Sequence, residues 1–314
     1  MESGVETDSL KQSETQSMTT QAYGCAALTM LCLGISPVSQ AELEPISDNA
    51  MGKVTGQAFM QIENIPGQNH EFTRMTLTMD VETRVNIDDI QAGQINGGTD
   101  FSATHLALGH IARNDGEVFN GKTYNAGEEI PFEARMPYIE LAEDAAGLAG
   151  FRMGFQQARG SVSSNTTSFS GNISGLKVRE DVSGTIYDTA LFAGEGETAT
   201  NYRASHIGIA PNGSETMTCI SGVNCAPLTN LRSVIVGEEG SAEGEVAFTD
   251  GFFIGLQRDD NVAWQTLDGA NTISVGKGVF INLPTNMTVD LSQLTGGGVD
   301  RLRTHQSDMG TKLF

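Results

Sequence analysis

Residues able to do chemistry are few in this chain and widely spaced. Oxygen donors gather in two turns, Asn114-Asp115-Gly116-Glu117 and Asp259-Asp260-Asn261. Carboxylates in turns suit a hard cation, which makes Asp115, Glu117, Asp259 and Asp260 the candidate calcium ligands, although neither turn follows the EF-hand pattern. Cys219 and Cys225 flank a glycine in TMTCISGVNCAPL. A metal site there needs further ligands that the neighbouring sequence does not offer, so the pair is expected to form a disulfide closing a short loop. The five histidines, His70, His105, His110, His206 and His305, are dispersed. His105 and His110 are the closest, and an odd separation along a strand sends side chains to opposite faces. Shared metal ligation is therefore not expected, and no H-E-x-x-H is present.

Nucleophile and phosphate motifs are also missing. A serine nucleophile needs a sharp exposing turn such as G-x-S-x-G, and GNISG misplaces its serine by one position. The run Ser161-Val-Ser-Ser-Asn-Thr-Thr-Ser-Phe-Ser170 reads as a solvated strand or loop face. Gly194-Glu-Gly-Glu-Thr-Ala puts Glu195 and Glu197 where a phosphate would sit, and Gly269 and Gly276 before Lys277 are spaced too widely for a phosphate loop. Glu140, Glu143 and Asp144 are the nearest carboxylate cluster for a hydrolase, with no spacing that selects them. Trp264 is the only tryptophan and aromatics make up 6%, too few for a stacking platform, so Trp264 is expected in the core. No catalytic constellation emerges, and an enzyme is not expected.

The elements that carry these residues show in the hydrophobic period. From Met75 to Ile87 apolar side chains fill nearly every odd position, Met75, Leu77, Met79, Val81, Val85 and Ile87, and polar ones fill the even positions. Period two predicts one buried face and one wet face. The alternation returns at Phe151, Met153 and Phe155, and at Val279, Ile281, Leu283, Met287, Val289 and Leu291 around Pro284. Shorter strand candidates are Gly56–Glu63, Glu117–Tyr124, Pro137–Ala142, Gly171–Arg179, Gly184–Phe192, Arg203–Ile209, Leu231–Val236 and Gly244–Leu256. Helix is expected only as a short turn from Ser47 or Asp48 to Met51. The predicted fold is all-β with few helices, an elongated antiparallel sandwich or a β-roll or solenoid-like stack. No linker divides it, so 42–314 reads as a single β-rich secreted domain.

Lys and Arg number 18 against 39 Asp and Glu, a net charge of −21 over 314 residues. Such acidity repels nucleic acid, which is excluded as a partner, and anionic membrane surfaces. Ala22–Ala41 is the one long apolar stretch and ends in Ser39-Gln40-Ala41, the small-x-small pattern of signal cleavage. Residues 1–41 are read as a signal peptide, with Met18 as an alternative start, and Cys25 and Cys32 leave with it. Pro37 and the polar flanks oppose a stable spanning helix. The mature chain is expected outside the cell or on its outer surface, with no integral membrane span. Phe314 at the end would suit an outer-membrane barrel, but Lys312, Gly310 and Asp308 share its face and make no lipid-facing stripe.

Three stretches carry a likeness to a known family. They are Leu43-Glu-Pro-Ile-Ser-Asp-Asn-Ala-Met-Gly-Lys-Val-Thr-Gly-Gln-Ala58; Pro137-Tyr-Ile-Glu-Leu-Ala142 with Gly150-Phe-Arg-Met-Gly-Phe155 and Gly160; and Asn282-Leu-Pro284 through Gly298, with Arg301-Leu-Arg-Thr304 and Leu313-Phe314. Together they resemble the FilA-like pilus-system proteins of gammaproteobacteria, departing from that family at His305-Gln-Ser. The resemblance implies export and a surface filament, and it supplies no catalytic residues.

On these grounds the expected role is a cell-surface structural protein, a pilus- or filament-associated subunit. It would assemble with itself or with other surface subunits when an unpaired strand edge accepts a neighbour's strand. Two alternatives stand beside it. One is a secreted module binding lipid, hydrocarbon or glycan, for which the 12 methionines offer adaptable apolar surface. The other is a secreted hydrolase. No cofactor is expected other than calcium. A deep apolar pocket would favour the binding module, and a fully packed interior would count against it.

Overall fold

Alternating side chains make strands here, and strand dominates the chain. A computed structural model describes residues 59–210, 217–242, 245–260 and 262–305, all within Thr55–Phe314, one of two compact units. The signal segment 1–41 and the Ser47–Met51 turn lie outside the described residues. Among the described residues, eleven of the 24 strands, the longest included, form one sheet. Its spine is Gly147–Ser168, a strand of 22 residues long enough to serve two sets of neighbours. The first half of the spine pairs with Phe132–Asp144 on one side and Phe253–Gln257 on the other. The second half pairs with Gly98–Leu108 and Ser233–Val236. The change of partners falls at Gly160, at φ 136°, where a Cβ would lie 2.9 Å from the Phe132 ring. A glycine is what such a bend requires.

The result is a half-barrel with two walls. The first wall runs Met60–Pro66, Glu71–Leu77, Phe132–Asp144, spine, Phe253–Gln257 and Gly278–Asn282. The second runs Val85–Ile95, Gly98–Leu108, spine and Ser233–Val236. The all-β, largely antiparallel fold is as the period predicts. Parallel pairing also occurs, Gly171–Asn172 beside Gly278–Asn282 and Lys177–Arg179 beside Thr288–Asp290.

The stripe from Met75 to Ile87 turns out differently in two respects. It is three strands rather than one, Glu71–Leu77, Asp80–Thr83 and Val85–Ile95, and it carries the chain from the first wall to the second. On Glu71–Leu77 the faces are also reversed, whereas over 80–87 the odd residues Val81, Val85 and Ile87 are the more buried, as the period predicts. Arg74 and Thr76, at even positions, are only 5% and 1% exposed, whereas Met75 and Leu77 are half-buried and Met79 is 37% exposed. The cause is a roof over the even face, formed by the hairpin Val262–Gln265 and Thr272–Val275. Its Val262 and Trp264 pack against Phe72, Phe253 and Phe280.

Beneath that roof the register sets four charges in a row, Glu63, Arg74, Glu140 and Arg152. Glu140 is fully buried and held from both sides, by Arg74 Nε at 2.6 Å and Arg152 Nη2 at 3.1 Å. Arg152 Nη2 also donates to the Gln265 carbonyl of the roof at 2.6 Å. The Arg152 guanidinium lies 5.0 Å from the Phe253 ring and 5.1 Å from Trp264, close enough for cation–π attraction. One residue along each strand, on the opposite face, the same register aligns Ile62, Met75, Ile139, Met153, Ile254 and Ile281.

Several local readings need correction. The serine run fills the end of the spine and passes just beyond it, but Ser161, Ser163, Thr166 and Ser170 are buried, not solvated. The residues Val299 to Thr304 cross that face, with Leu302 N donating to Ser233 Oγ and Ser233 Oγ bonded to Ser163 Oγ. Glu117–Tyr124 is a hairpin of two strands, turned at Asn120 and Gly121, both at positive φ. Leu291, read as part of a strand, begins the helix Leu291–Gly296, which buries Leu291 and Leu294. Among the described residues no helix is long and apolar enough to cross a membrane.

The buried ion row yields a test. Glu140→Gln leaves Arg152 without its counter-charge and Arg74 with only the more distant Glu63, and should cost about 3–5 kcal/mol. Asp80→Asn, which removes a solvent-exposed partner of Arg135, should cost no more than about 1 kcal/mol. Urea unfolding followed by Trp264 emission measures both.

Candidate functional site

Because the first wall turns its ionic face outward under the roof, its apolar face looks inward. The second wall answers with Val85, Leu108, Val162 and Val234, which the register places side by side. Between the walls lies a cavity of ≈ 600 Å³, within the usual size range of small-ligand pockets. Aliphatic and aromatic side chains line it, with three methionines, Met60, Met75 and Met153, and no charged side chain among the described residues. Ser164 and Thr166 are the hydrogen-bonding side chains that strand alternation turns toward it, and their hydroxyls lie 2.8 Å apart. Tyr138 also borders the cavity, but its ring belongs to the other face, between the guanidiniums of Arg74 and Arg152.

The cavity continues into exposed surface. Ile139 and Met153, in the middle of the six-strand apolar row, are 43% and 44% exposed, and Met60 and Ile62 at the edge are exposed as well. At another place the walls are tied by Asp100. Its buried carboxylate accepts from Arg203 Nε at 2.8 Å and from Val279 N at 2.9 Å. Gly278 opposite leaves the room, since a Cβ there would come within 2.1 Å of the carboxylate.

The candidate residues read from the sequence are dispersed around this frame. Asp115 Oδ1 accepts from Ala126 N, and Glu117 Oε2 accepts from Arg113 N. Asp259 pairs with Arg258, and Asp260 accepts from Lys277 N. Each of these four carboxylates thus stabilises its own turn or hairpin, and among the described residues no group of three or more His, Cys, Asp or Glu could hold a metal. Cys219 and Cys225 are joined by a disulfide, with Cα atoms 5.5 Å apart, next to the buried Phe192. Glu140 is spent in the ion row. Asp144 accepts from Ala146 N and pairs with Arg258, which keeps its carboxyl below the ordinary range. Glu143 is exposed and, three residues on from Glu140, falls on the opposite face of its strand. Trp264 is fully buried.

One further constellation has no motif in the sequence, since its members come from separate strands. His110 Nδ1 lies 2.9 Å from Ser161 Oγ, and His110 Nε2 lies 3.5 Å from Glu117 Oε1. A carboxylate only accepts, which places the imidazole proton on Nε2 and leaves Nδ1 to accept the serine hydroxyl. The three residues have the composition of a nucleophilic relay, but Ser161 and His110 are buried, with Phe119 edge-on to the imidazole. A buried hydroxyl cannot reach a substrate, so the trio serves to anchor the Glu117–Tyr124 hairpin to the spine. Burial lowers the His110 pKa, outweighing the upward pull of Glu117.

A family model described as a family of unknown function (DUF6160) matches residues 20–126. No curated protein matches the chain, and no solved structure does. Within the described residues the matched stretch includes Met60, Met75, Leu77, Val85 and Leu108, which contribute to both cavity walls.

His110 gives a pH dependence of known sign. Burial lowers its pKa in the folded chain, so on acidification the unfolded chain, with an ordinary imidazole pKa of about 6.5, takes up the proton first. The unfolded state then binds more protons, so stability falls as pH drops through that value. Comparing urea midpoints near pH 8 and pH 5 should show this loss, and His110→Gln should shrink it. A variant with the same pH slope as the natural chain would refute the assignment.

Proposed function

We propose that this chain binds a long apolar ligand, a lipid chain or hydrocarbon, between the walls of its half-barrel. The observation that carries the reading is the uncharged cavity of ≈ 600 Å³ opening onto a continuous apolar row across six strands. Neighbouring strands lie about 4.8 Å apart, so that row spans roughly 24 Å. One leaflet of a bilayer core is about 15 Å deep, and the row therefore has length enough for one extended acyl chain. Exposed apolar residues in a contiguous row mark interaction surface rather than ordinary protein exterior. Met60, Met75 and Met153 add polarisable, unbranched side chains that can adapt to ligands of differing width.

A second reading, a filament subunit joined by strand pairing, draws on a different observation. Among the described residues Met60–Pro66 pairs with Glu71–Leu77 alone, at the end of the sheet's strand order, and it bears the exposed Met60 and Ile62. Edges of this kind accept strands from other chains. The cavity weighs toward ligand binding because strand pairing needs an edge and makes no use of an interior space.

Chain length separates the readings. Each buried methylene contributes about 0.8 kcal/mol, so affinity for a series of n-alkyl probes should rise up to roughly tenfold per two carbons and level off once the chain outgrows the row. Ile139→Asp and Met153→Asp should weaken binding at least about tenfold while leaving the Trp264 unfolding transition in place. No saturable binding of any alkyl probe would remove the ligand reading. The filament reading fails if the protein remains monomeric at high concentration and Ile62→Pro leaves surface assemblies unchanged.

A further inference from the structure

We infer that the ligand of this cavity is an uncharged single-chain lipid, a long-chain alcohol or its ester, whose polar end is read by the Ser164–Thr166 hydroxyl pair. This inference rests on the apolar-ligand reading above and narrows it to a chemical class. Ser164 and Thr166 stand two apart on the spine, continuing the inward face of Val162, where a further valine would have kept the wall apolar. The spine's register with Gly98–Leu108 slips on both sides of this place, between Ser163 and Asn165 and again between Thr166 and Ser168. The hydroxyls are thus set at an interruption of the ladder. They bond to each other at 2.8 Å, which uses one of their two protons. The other proton and the remaining lone pairs can meet a ligand that both donates and accepts, as an alcohol does, or that accepts, as an ester carbonyl does.

The charge distribution excludes the anionic lipids. Among the described residues no lysine, arginine or histidine lines the cavity, so an ionised carboxylate or phosphate would lose its water without gaining a counter-charge. The net charge of −21 also opposes the approach of an anion. The cations nearest in the sheet, Arg74 and Arg152, lie on the other face and are committed to Glu140.

The test is equilibrium dialysis of the full chain against radiolabelled hexadecanol, hexadecane and hexadecanoate at about pH 8. Hexadecanol is expected to bind several-fold more tightly than hexadecane, and hexadecanoate more weakly than either. Thr166→Val, and the double variant Ser164→Ala/Thr166→Val, should each lower hexadecanol affinity roughly threefold to tenfold. Both should leave hexadecane binding and the Trp264 unfolding midpoint close to those of the natural chain, and Thr166→Val nearly keeps the side-chain shape if the double variant folds poorly. Equal affinity for hexadecanol and hexadecane, tight binding of hexadecanoate, or hexadecanol binding indifferent to the substitutions would overturn the inference while leaving the apolar cavity as a binding site. Failure of all three ligands to bind would overturn both.

Discussion

Glu140, fully buried between Arg74 and Arg152, sets the terms for the first wall of the half-barrel. A carboxylate removed from water survives only with its counter-charges and hydrogen bonds in place. Two guanidiniums supply them, and these in turn need cover, which Trp264, Phe253 and the Gln265 carbonyl of the roof hairpin provide. Ion row and roof are therefore mutually dependent. Strand alternation carries the consequence through the backbone, because fixing Arg74, Glu140 and Arg152 on one face fixes Met75, Ile139 and Met153 on the other. The apolar interior is in this sense the reverse side of an ionic network.

The spine extends that logic to the second wall. One strand belongs to both walls, so neither wall can slide past the other without breaking its ladder. Gly160 allows the bend, and Asp100 joins the second wall to the strand Gly278–Asn282 of the first. The separation of the walls is thus set by covalent and hydrogen-bonded geometry rather than by how well their side chains fill the space. Protein interiors ordinarily close to crystal-like density. Here collapse would require giving up backbone hydrogen bonds whose buried donors and acceptors would then stand unpaired, at about 1–3 kcal/mol each.

The strands were legible from the sequence because period two survives in side chains whatever covers them. Which face was core was not legible, and the Met75–Ile87 stripe shows why. The even residues Arg74, Thr76 and Glu82 look solvated by type, and only partners distant in sequence, such as Glu140 66 residues from Arg74, reveal which of them are buried. Short-range turn chemistry does mark two of the hairpins. Asn96-Gly97 and Asn120-Gly121, each with both residues at positive φ, are the turn signal that joins Val85–Ile95 to Gly98–Leu108 and splits Glu117–Tyr124. Leu291 and Leu294, three apart after Asp290 and before Gly296, likewise carried a helical spacing masked by the alternation preceding them. The cavity has no sequence signature of its own, since a lining made of residues from both walls reads, strand by strand, as ordinary core.

An open apolar interior is a hazard in solution, because any partner with a greasy face will bury it. Acidity addresses that hazard without touching the cavity. Charges of one sign spread over the surface hold copies of the chain apart at long range, while the interior interacts only at contact and screens nothing. The two properties that looked unrelated in the sequence, a net charge of −21 and a surplus of apolar strand positions, thus work at different distances. Repulsion opposes the face-to-face approach of like-charged chains and exerts no such force on an uncharged molecule.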